Sequence, residues 1–413
     1  MVAVARDSAT APPLLNRAQA ERVLDQHGLD GLLAAQPVNV CYLSNYWTAG
    51  SGPGRDGLSF AVLPRRADEA AALVLGAEEL RRLSASGGTW MPNLVAYRSP
   101  LEDTTPPRGW PARAGAELLP NERKWLAIED RLRGELSGSA ILGLARAVRA
   151  AGLERAVVGI DDWRLEKWLR AAGLVEARFM YAEHLFAAIR RVKSPAEIAL
   201  LRTAAALNET ACLEAAQHVE EGSDWQVIED VYVAEFAQRG GRGCHLLTGP
   251  GGLPGLAVRR GEPTAIAALG HYRQYHASVG RTLCVGAADG ELLERHAALQ
   301  RGWREVAATL RPGLRYREVA AGCVAAIRAQ GFADFALAVP RSIGLTPCDD
   351  PVPMSVRGAE HGDLLLEPGV VLEIELPYSE IGWGSMQLAD TLLVTEHGCE
   401  PLTSMQTDLL ILP

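Results

Sequence analysis

Two stretches of the chain read as pairs of strands around a turn. Gly261–Thr282 runs GEPTAIAALGHYRQYHASVGRT, and the second stretch runs from Leu366 to Thr395. Each ends in or encloses a short polar pattern: Arg281-Thr282 in the first and Ala389-Asp390-Thr391 in the second, with Arg341-Ser342-Ile343-Gly344-Leu345 between them. Apolar residues bounded by turn signals mark the strands. A sheet built from such hairpins needs helices to cover a face, and the chain supplies them on either side.

The helices have legible ends. Ser194-Pro195-Ala196-Glu197 combines a serine N-cap, a proline at the first helical position and a glutamate at the third, which is a capping box. The helix that follows is expected to reach about His218, with Ile198, Leu201 and Ala205 on one face. Further helices are expected from Ser223-Asp224 to Gly240-Gly241, from Glu291 to Leu310, and from Tyr316 to Gly331. Residues 186–413 therefore read as an α+β domain, its helices packed outside an antiparallel sheet. Residues 1–185 read as an α/β domain. A helix opens after Asn16, and Gly28 ends it. Strands are expected at 31–35, 58–63, 71–75 and 156–161, and a helix at 141–148. The leader before residue 20 lacks an apolar signal core and reads as loose.

Composition excludes several classes of function. A net charge of −9 without a basic run argues against nucleic acid. No charge-free apolar run is long enough to span a membrane. The seven cysteines are scattered and form no CxxC, which suits a reducing cytoplasm and neither a disulfide scaffold nor a zinc ribbon. Lysine occurs only at Lys124, Lys167 and Lys193, so no lysine after residue 193 can form a Schiff base or pyridoxal aldimine. A Walker-type phosphate loop, which needs a lysine, is also absent.

The run Ile189-Arg190-Arg191-Val192-Lys193-Ser194-Pro195-Ala196-Glu197-Ile198 resembles the domain junction of the pita-bread family, which includes prolidases, aminopeptidase P, methionine aminopeptidases and creatinase. Tyr275, Arg281-Thr282, Leu366-Glu367-Pro368-Gly369, Ile374-Glu375 and Asp390–Thr395 with Gly398 resemble its strand motifs, in order. Asn39–Ser44 is similar to a strand of the creatinase-type N-terminal domain. In the family's metallopeptidases, two aspartates, a histidine and two glutamates hold two metal ions, which activate water. Those positions fall here on Ala267, Ser278, Arg341, Glu375 and Ala389, so only Glu375 keeps a ligand, and a cation stands at the histidine position. The resemblance thus implies a creatinase-type member without metal or other cofactor. Arg55, in Gly54-Arg55-Asp56-Gly57, resembles the creatinase loop arginine that crosses a dimer interface to hold a substrate carboxylate. The chain departs from creatinase at its catalytic histidine, for which 249–255 offers no counterpart, and at Gly280, where a glutamate is expected.

Strand alternation then gives a pocket lining. If Ser278 faces the pocket, so does His276, while Tyr275 turns away. Glu373 faces with Glu375, and Gln387 with Ala389; His271 lies near the turn, and Trp47 and Trp383 are candidate walls. The expected roles are proton transfer by Glu375 and His276 and charge stabilisation by Arg341. Arg55, Ser278, Glu373, Gln387, His271 and Trp47 are expected to bind substrate. Competing readings stay open: Glu375 pairs with Arg341 as a plain ion pair, His276 is a hydrogen-bonded core residue, His271 is solvated, and Ser278 is a small filler. Cys348 beside Asp349 and Asp350 is a poor nucleophile, since neighbouring anions raise a thiol pKa. The expected activity is metal-independent hydrolysis of a C–N bond in a small carboxylate-bearing amide, amidine or guanidino compound, by a cytoplasmic homodimer. The alternatives are a lyase, cyclase or decarboxylase on a small amino-acid-derived substrate, and a non-catalytic degenerate peptidase that binds a partner.

Overall fold

A computed structural model describes residues 2–3, 12–48, 58–66, 70–98, 113, 115–132, 134–248, 258–352, 354–355, 358–359, 363–404 and 406–413. The chain divides into two compact units, Met1–Ile189 and Arg190–Pro413.

The first unit contains β1 (Val2–Ala3), α1 (Arg17–His27), β2 (Gly31–Ala34), α2 (Pro37–Ser44), β3 (Phe60–Pro64), β4 (Ala72–Gly76), α3 (Leu80–Ala85), β5 (Asn93–Tyr97), α4 (Pro120–Leu132), α5 (Ala140–Ala150), β6 (Val157–Ile160), α6 (Arg164–Ala171), β7 (Arg178–Tyr181) and most of α7 (Glu183–Arg191). Its strands form one mixed sheet in the order β1-β5-β4-β3-β2-β6-β7. The expected helix after Asn16 is α1, where Asn16 accepts from the Gln19 backbone and Gly28 ends the helix with φ of 63°. Val2–Ala3, expected to belong to a loose leader, pairs antiparallel with β5.

One local expectation is corrected. Residues 39–44 are not a strand; they form most of α2. Pro37 takes the first turn, and Asp161 sits at the helix start. Asp161 accepts from the backbone N–H groups of Ala35 (2.7 Å) and Gln36 (3.0 Å) and from the Asn39 side chain (2.8 Å). The helix signal thus comes from a carboxylate more than a hundred residues away, at the end of β6.

The second unit contains α8 (Pro195–Ala216), α9 (Trp225–Gln238), β8 (Arg242–Thr248), β9 (Pro263–Tyr272), β10 (Tyr275–Val285), α10 (Gly290–Thr309), α11 (Tyr316–Arg328), β11 (Val339–Ser342), β12 (Met354–Ser355), β13 (Gly358–Ala359), β14 (Val371–Glu380), β15 (Gly384–Val394), β16 (Cys399–Pro401) and β17 (Leu410–Leu412). The capping box forms as expected: Ser194 accepts from Glu197 N, and Glu197 accepts from Ser194 N. The main sheet runs β11-β14-β15-β10-β9-β8, antiparallel throughout, with β16 beside β15 and β17 parallel to β10.

Period-two alternation divides this sheet into two faces. Ile266, Ala268, Val279, Leu283 and Leu246 pack with residues of α8 and α9 in one core. Leu372, Ile374, Leu376, Met386 and Leu388 pack with residues of α10 and α11 in another. The opposite face carries the remaining residues of every strand. Behind the sheet, Arg281 is fully buried. It donates to both oxygens of Asp390 (3.0 and 3.2 Å), to Glu209 (3.0 Å) and to the Ala389 carbonyl (3.0 Å). The motif residues Arg281 and Asp390 therefore tie β10, β15 and α8 together and do not line the open face. Among the described residues no helix is long and apolar enough to cross a membrane.

Candidate active site

Cross-strand pairing sets the open face out in rows. In one row Arg341 stands opposite Glu373, Glu373 opposite Thr391, Ser278 opposite Leu269, and Leu269 opposite His245. The Thr391 hydroxyl donates to the Ser278 carbonyl (3.1 Å) and joins the two halves of this row. The adjacent row is Val339, Glu375, Ala389, Gly280, Ala267 and Leu247. Six expected lining residues (His276, Ser278, Arg341, Glu373, Glu375 and Gln387) therefore share one face, and His271, opposite His276, shares it too. Arg55 lies outside the described residues. Trp47 is half-buried in the first unit, just after α2. Trp383 is not a wall of this face. It lies between β14 and β15, with the Arg295 guanidinium 4.5 Å from its ring centre, and it packs against the α10–α11 core.

The charged centre of the face is a guanidinium between two carboxylates. Arg341 Nε donates to Glu373 Oε2 (2.6 Å), and Nη2 donates to Glu375 Oε1 (2.5 Å). Glu373 is fully buried, while the Arg341 and Glu375 side chains keep 36% and 18% of their exposure. Glu373 Oε1 is buried and has no ordinary donor among the described residues. Glu375 lies within hydrogen-bonding reach of Glu373, and two carboxyl groups in contact need a proton between them. Burial first and the Glu373 charge second push the Glu375 pKa up to about 7, against the pull of Arg341. Burial disfavours the charged form of Arg341, but Glu373 and Glu375 outweigh it and hold the guanidinium above its usual pKa.

The residues around this centre are small. A Cβ on Gly280 would come within 2.9 Å of both the Ala389 Cβ and the Gln387 Cγ, so glycine lets the Gln387 side chain lie across β10. The Gln387 backbone is held by Thr282, whose hydroxyl donates to the Gln387 carbonyl (3.1 Å) and accepts from its N–H (3.0 Å). At the free edge of β11 a cavity of about 550 Å³ reaches Arg341, lined also by Tyr316, Val339, Cys348, Asp350 and Leu364. Tyr316 donates to Asp350 (2.8 Å), and burial pushes the Cys348 thiol pKa up, consistent with a poor nucleophile.

The histidines are not in the state expected of solvated side chains. His271 and His276 lie with ring centres 5.2 Å apart, below a two-residue turn whose Arg273 and Gln274 have φ of 47° and 72°. Both turn residues are left-handed, which suits a tight hairpin but strains side chains other than glycine. Burial lowers the pKa of His276, and lowers that of His271 to about 4, so both imidazoles are neutral at pH 7. His271 is half-buried rather than solvated, with a buried Nδ1 that has no hydrogen-bond partner among the described residues. His276 Nδ1 lies 3.1 Å from the Gly344 carbonyl, which also accepts from His276 N (2.7 Å). The segment after β11 thus returns to β10. Gly344 itself sits on the buried Lys193–Asp349 pair (2.8 Å).

Residues 17–190 match the Creatinase/Prolidase N-terminal domain, and residues 199–396 match Metallopeptidase family M24. With both domains in that order, the chain belongs to the creatinase–prolidase family of pita-bread proteins. It is similar to the ectoine hydrolase of Halomonas elongata, at 28% identity over 155 residues, covering 37% of this chain and 38% of that protein. It is also similar to the probable dipeptidase PepE of Mycobacterium bovis, at 27% identity over 237 residues, covering 54% of this chain and 62% of that protein. The chain thus spans less than two thirds of the length of these relatives. The Xaa-Pro dipeptidase of Bacillus anthracis shares the fold with a TM-score of 0.69 and 18% identity, over 96% of this chain and 99% of that one.

The donor set does not fit the two-metal centre that a metallopeptidase match implies. Ala267 and Ala389 offer no ligand atom, Arg341 offers only donors, and Glu375 is engaged by Arg341. Among the described residues no group of three or more His, Cys, Asp or Glu side chains is placed to hold a metal ion.

Proposed function

We propose that the protein hydrolyses a C–N bond of a small carboxylate-bearing amide, amidine or guanidino compound by acid–base chemistry that needs no metal. The observation that carries this reading is the Arg341 guanidinium set between Glu373 and Glu375, at the position where metallopeptidases of this family keep a ligand. Glu375, its pKa raised to about 7 so that a substantial fraction holds a proton near neutrality, donates that proton to the departing nitrogen. Arg341, whose side chain keeps 36% of its exposure, stabilises the negative charge that develops on the substrate. The cavity of about 550 Å³ beside Arg341 is lined from β11 and α11 and by neither Glu373 nor Glu375, so the substrate is proposed to sit on the open face instead. The relatives named as ectoine hydrolase and dipeptidase support C–N hydrolysis as the reaction class. Arg55 remains the proposed holder of a substrate carboxylate, and a homodimer the proposed assembly.

The test uses the purified chain in excess chelator, incubated with N-acyl amino acids, cyclic amidines including ectoine, guanidino acids and dipeptides, with amine release as the readout. Turnover is expected to persist in chelator and to fall about 10²–10⁴-fold in Glu375→Gln. Product formed in ¹⁸O-water is expected to carry label, which a lyase, cyclase or decarboxylase would not incorporate. Activity lost in chelator and restored by a divalent ion would overturn the reading.

A further inference from the structure

The acid–base reading leaves one role unfilled. Glu375 and Arg341 account for a proton donor and an anion stabiliser, but a water attacking carbon needs a base. The expected candidate, His276, has its Nδ1 turned to the Gly344 carbonyl and stands one row away from Glu373.

A β-bulge in β8 supplies another imidazole. Arg242 stands opposite His271 and Gly243 opposite Gly270, but the next pair is His245 with Leu269, so Cys244 is the extra residue. In an unbroken ladder Cys244 would meet Leu269 and lie on the open face. His245 would then meet Ala268, on the helix side, where α8 and α9 make the core. The single inserted residue reverses this. It sends Leu246 into that core and leaves His245 half-buried on the open face, in the row of Leu269, Ser278, Thr391, Glu373 and Arg341. The bulge is secured from behind, since Leu246 N donates to Glu229 Oε1 of α9 (3.2 Å). Bulges are used next to active sites to re-aim a side chain. The Glu373 and Arg341 charges act on His245 from the far end of the row, so the sheet curves enough to bring the row's ends within electrostatic reach.

We propose that His245 is the general base of this site, an assignment that rests on the hydrolase reading above. The water oxygen bonds to the substrate carbon, and one water proton passes to the His245 imidazole. The C–N bond breaks with its electron pair going to nitrogen, which takes the Glu375 proton. An acid and an amine leave, and the proton on His245 returns through solvent to the Glu375 carboxylate, resetting both groups. The charged groups whose fields reach His245 are Glu229 from α9, Glu373 from β14 and Arg341 from β11. Burial is the largest influence and lowers the His245 pKa, which keeps the ring in its proton-accepting form at neutral pH.

Two measurements test this. The first is the imidazole proton titration of His245 by NMR, with the resonance assigned by its loss in His245→Asn. The midpoint is expected to fall by a few tenths of a pH unit or more in Glu373→Gln and to rise in Arg341→Gln. A midpoint unmoved in whichever of these variants folds would place His245 outside the site and overturn the proposal. The second is turnover of whichever panel substrate the wild type hydrolyses. His245→Asn is expected to lower kcat about 10²–10⁴-fold, with KM changed less than tenfold and the acid limb of the kcat/KM profile lost. An active wild type with an equally active His245→Asn would overturn the base assignment and leave the hydrolase reading standing. A wild type that hydrolyses nothing in the panel would overturn that reading, and the base role with it.

Discussion

At the scale of single residues, the site depends on how one guanidinium is divided between two carboxylates. Burial and the Glu373 charge raise the Glu375 pKa against the pull of Arg341, so Glu375 is a carboxyl that takes up a proton near neutrality. Because the acid form of Glu375 is the proton donor, kcat is expected to fall as pH rises through about 7, and a pH–rate profile checks this. The division also has a stability consequence. Arg341→Met leaves Glu373 buried beside a second carboxyl with no cation, and is expected to cost about 3–5 kcal/mol in urea unfolding. Arg341→Met combined with Glu373→Gln removes the stranded charge and is expected to recover most of that loss. If the double variant were as unstable as the single one, Arg341 would act by packing rather than charge. The lining itself was legible because side chains alternate strictly on a strand: placing Ser278 on the face commits His276, and placing Glu373 commits Glu375. The neutral state of the histidines was not legible, since their burial comes only with the fold.

At the scale of elements, sequence signals succeeded where the cause is local and failed where it is remote. The capping box at Ser194 and the cap at Asn16 are made by residues within one turn, and both form as read. Helix α2 was mistaken for a strand because its starting carboxylate, Asp161, comes from a distant part of the chain. The β8 bulge was invisible for a related reason: one extra residue changes which face His245 takes only relative to β9. Arg281 and Asp390, among the most recognisable residues of the chain, hold the sheet to α8 from behind, so their motif announced the fold more than the chemistry. Gly344 links support to site. A Cβ there would stand 2.1 Å from Asp349 Oδ2 and 2.5 Å from Lys193 Nζ, both fully buried and unable to move aside. Gly344→Ala is therefore expected to destabilise by about 1–3 kcal/mol. Because Gly344 O also holds His276, the variant should move the His276 ring resonances as well. Unchanged stability would show that the loop has slack.

At the scale of the whole molecule, the α/β and α+β classes of the two units followed from patterning, while the balance of buried ionisable groups follows from packing alone and gives the chain an unusual dependence on pH. Four carboxylates are pushed up mainly by burial: Glu197 to about 8, Glu375 to about 7, and Asp161 and Asp390 to about 6. Each keeps a proton in the folded chain that the unfolded chain has released, so each contributes stability at low pH that is lost as pH rises through its folded pKa. Four histidines are lowered, again chiefly by burial: His271 and His296 to about 4, with His245 and His276 shifted the same way. These act oppositely, costing stability as pH falls below their ordinary value near 6.5. Between roughly pH 4.5 and 6 the two sets offset one another. From about pH 7 to 8 the histidines are mostly neutral in both states, while Glu197, and Glu375 in part, still hold extra protons. Stability is therefore expected to fall across that window, by about 1.4 kcal/mol per pH unit for each proton held. Glu197→Gln keeps an oxygen for the Ser194 N–H and removes one of those protons. Its Tm is expected to decline less steeply from about pH 7 to 8 than that of the wild type. Parallel Tm–pH curves would mean that Glu197 is ionised in the fold, its charge held by Lys193, and that Glu375 alone carries the slope.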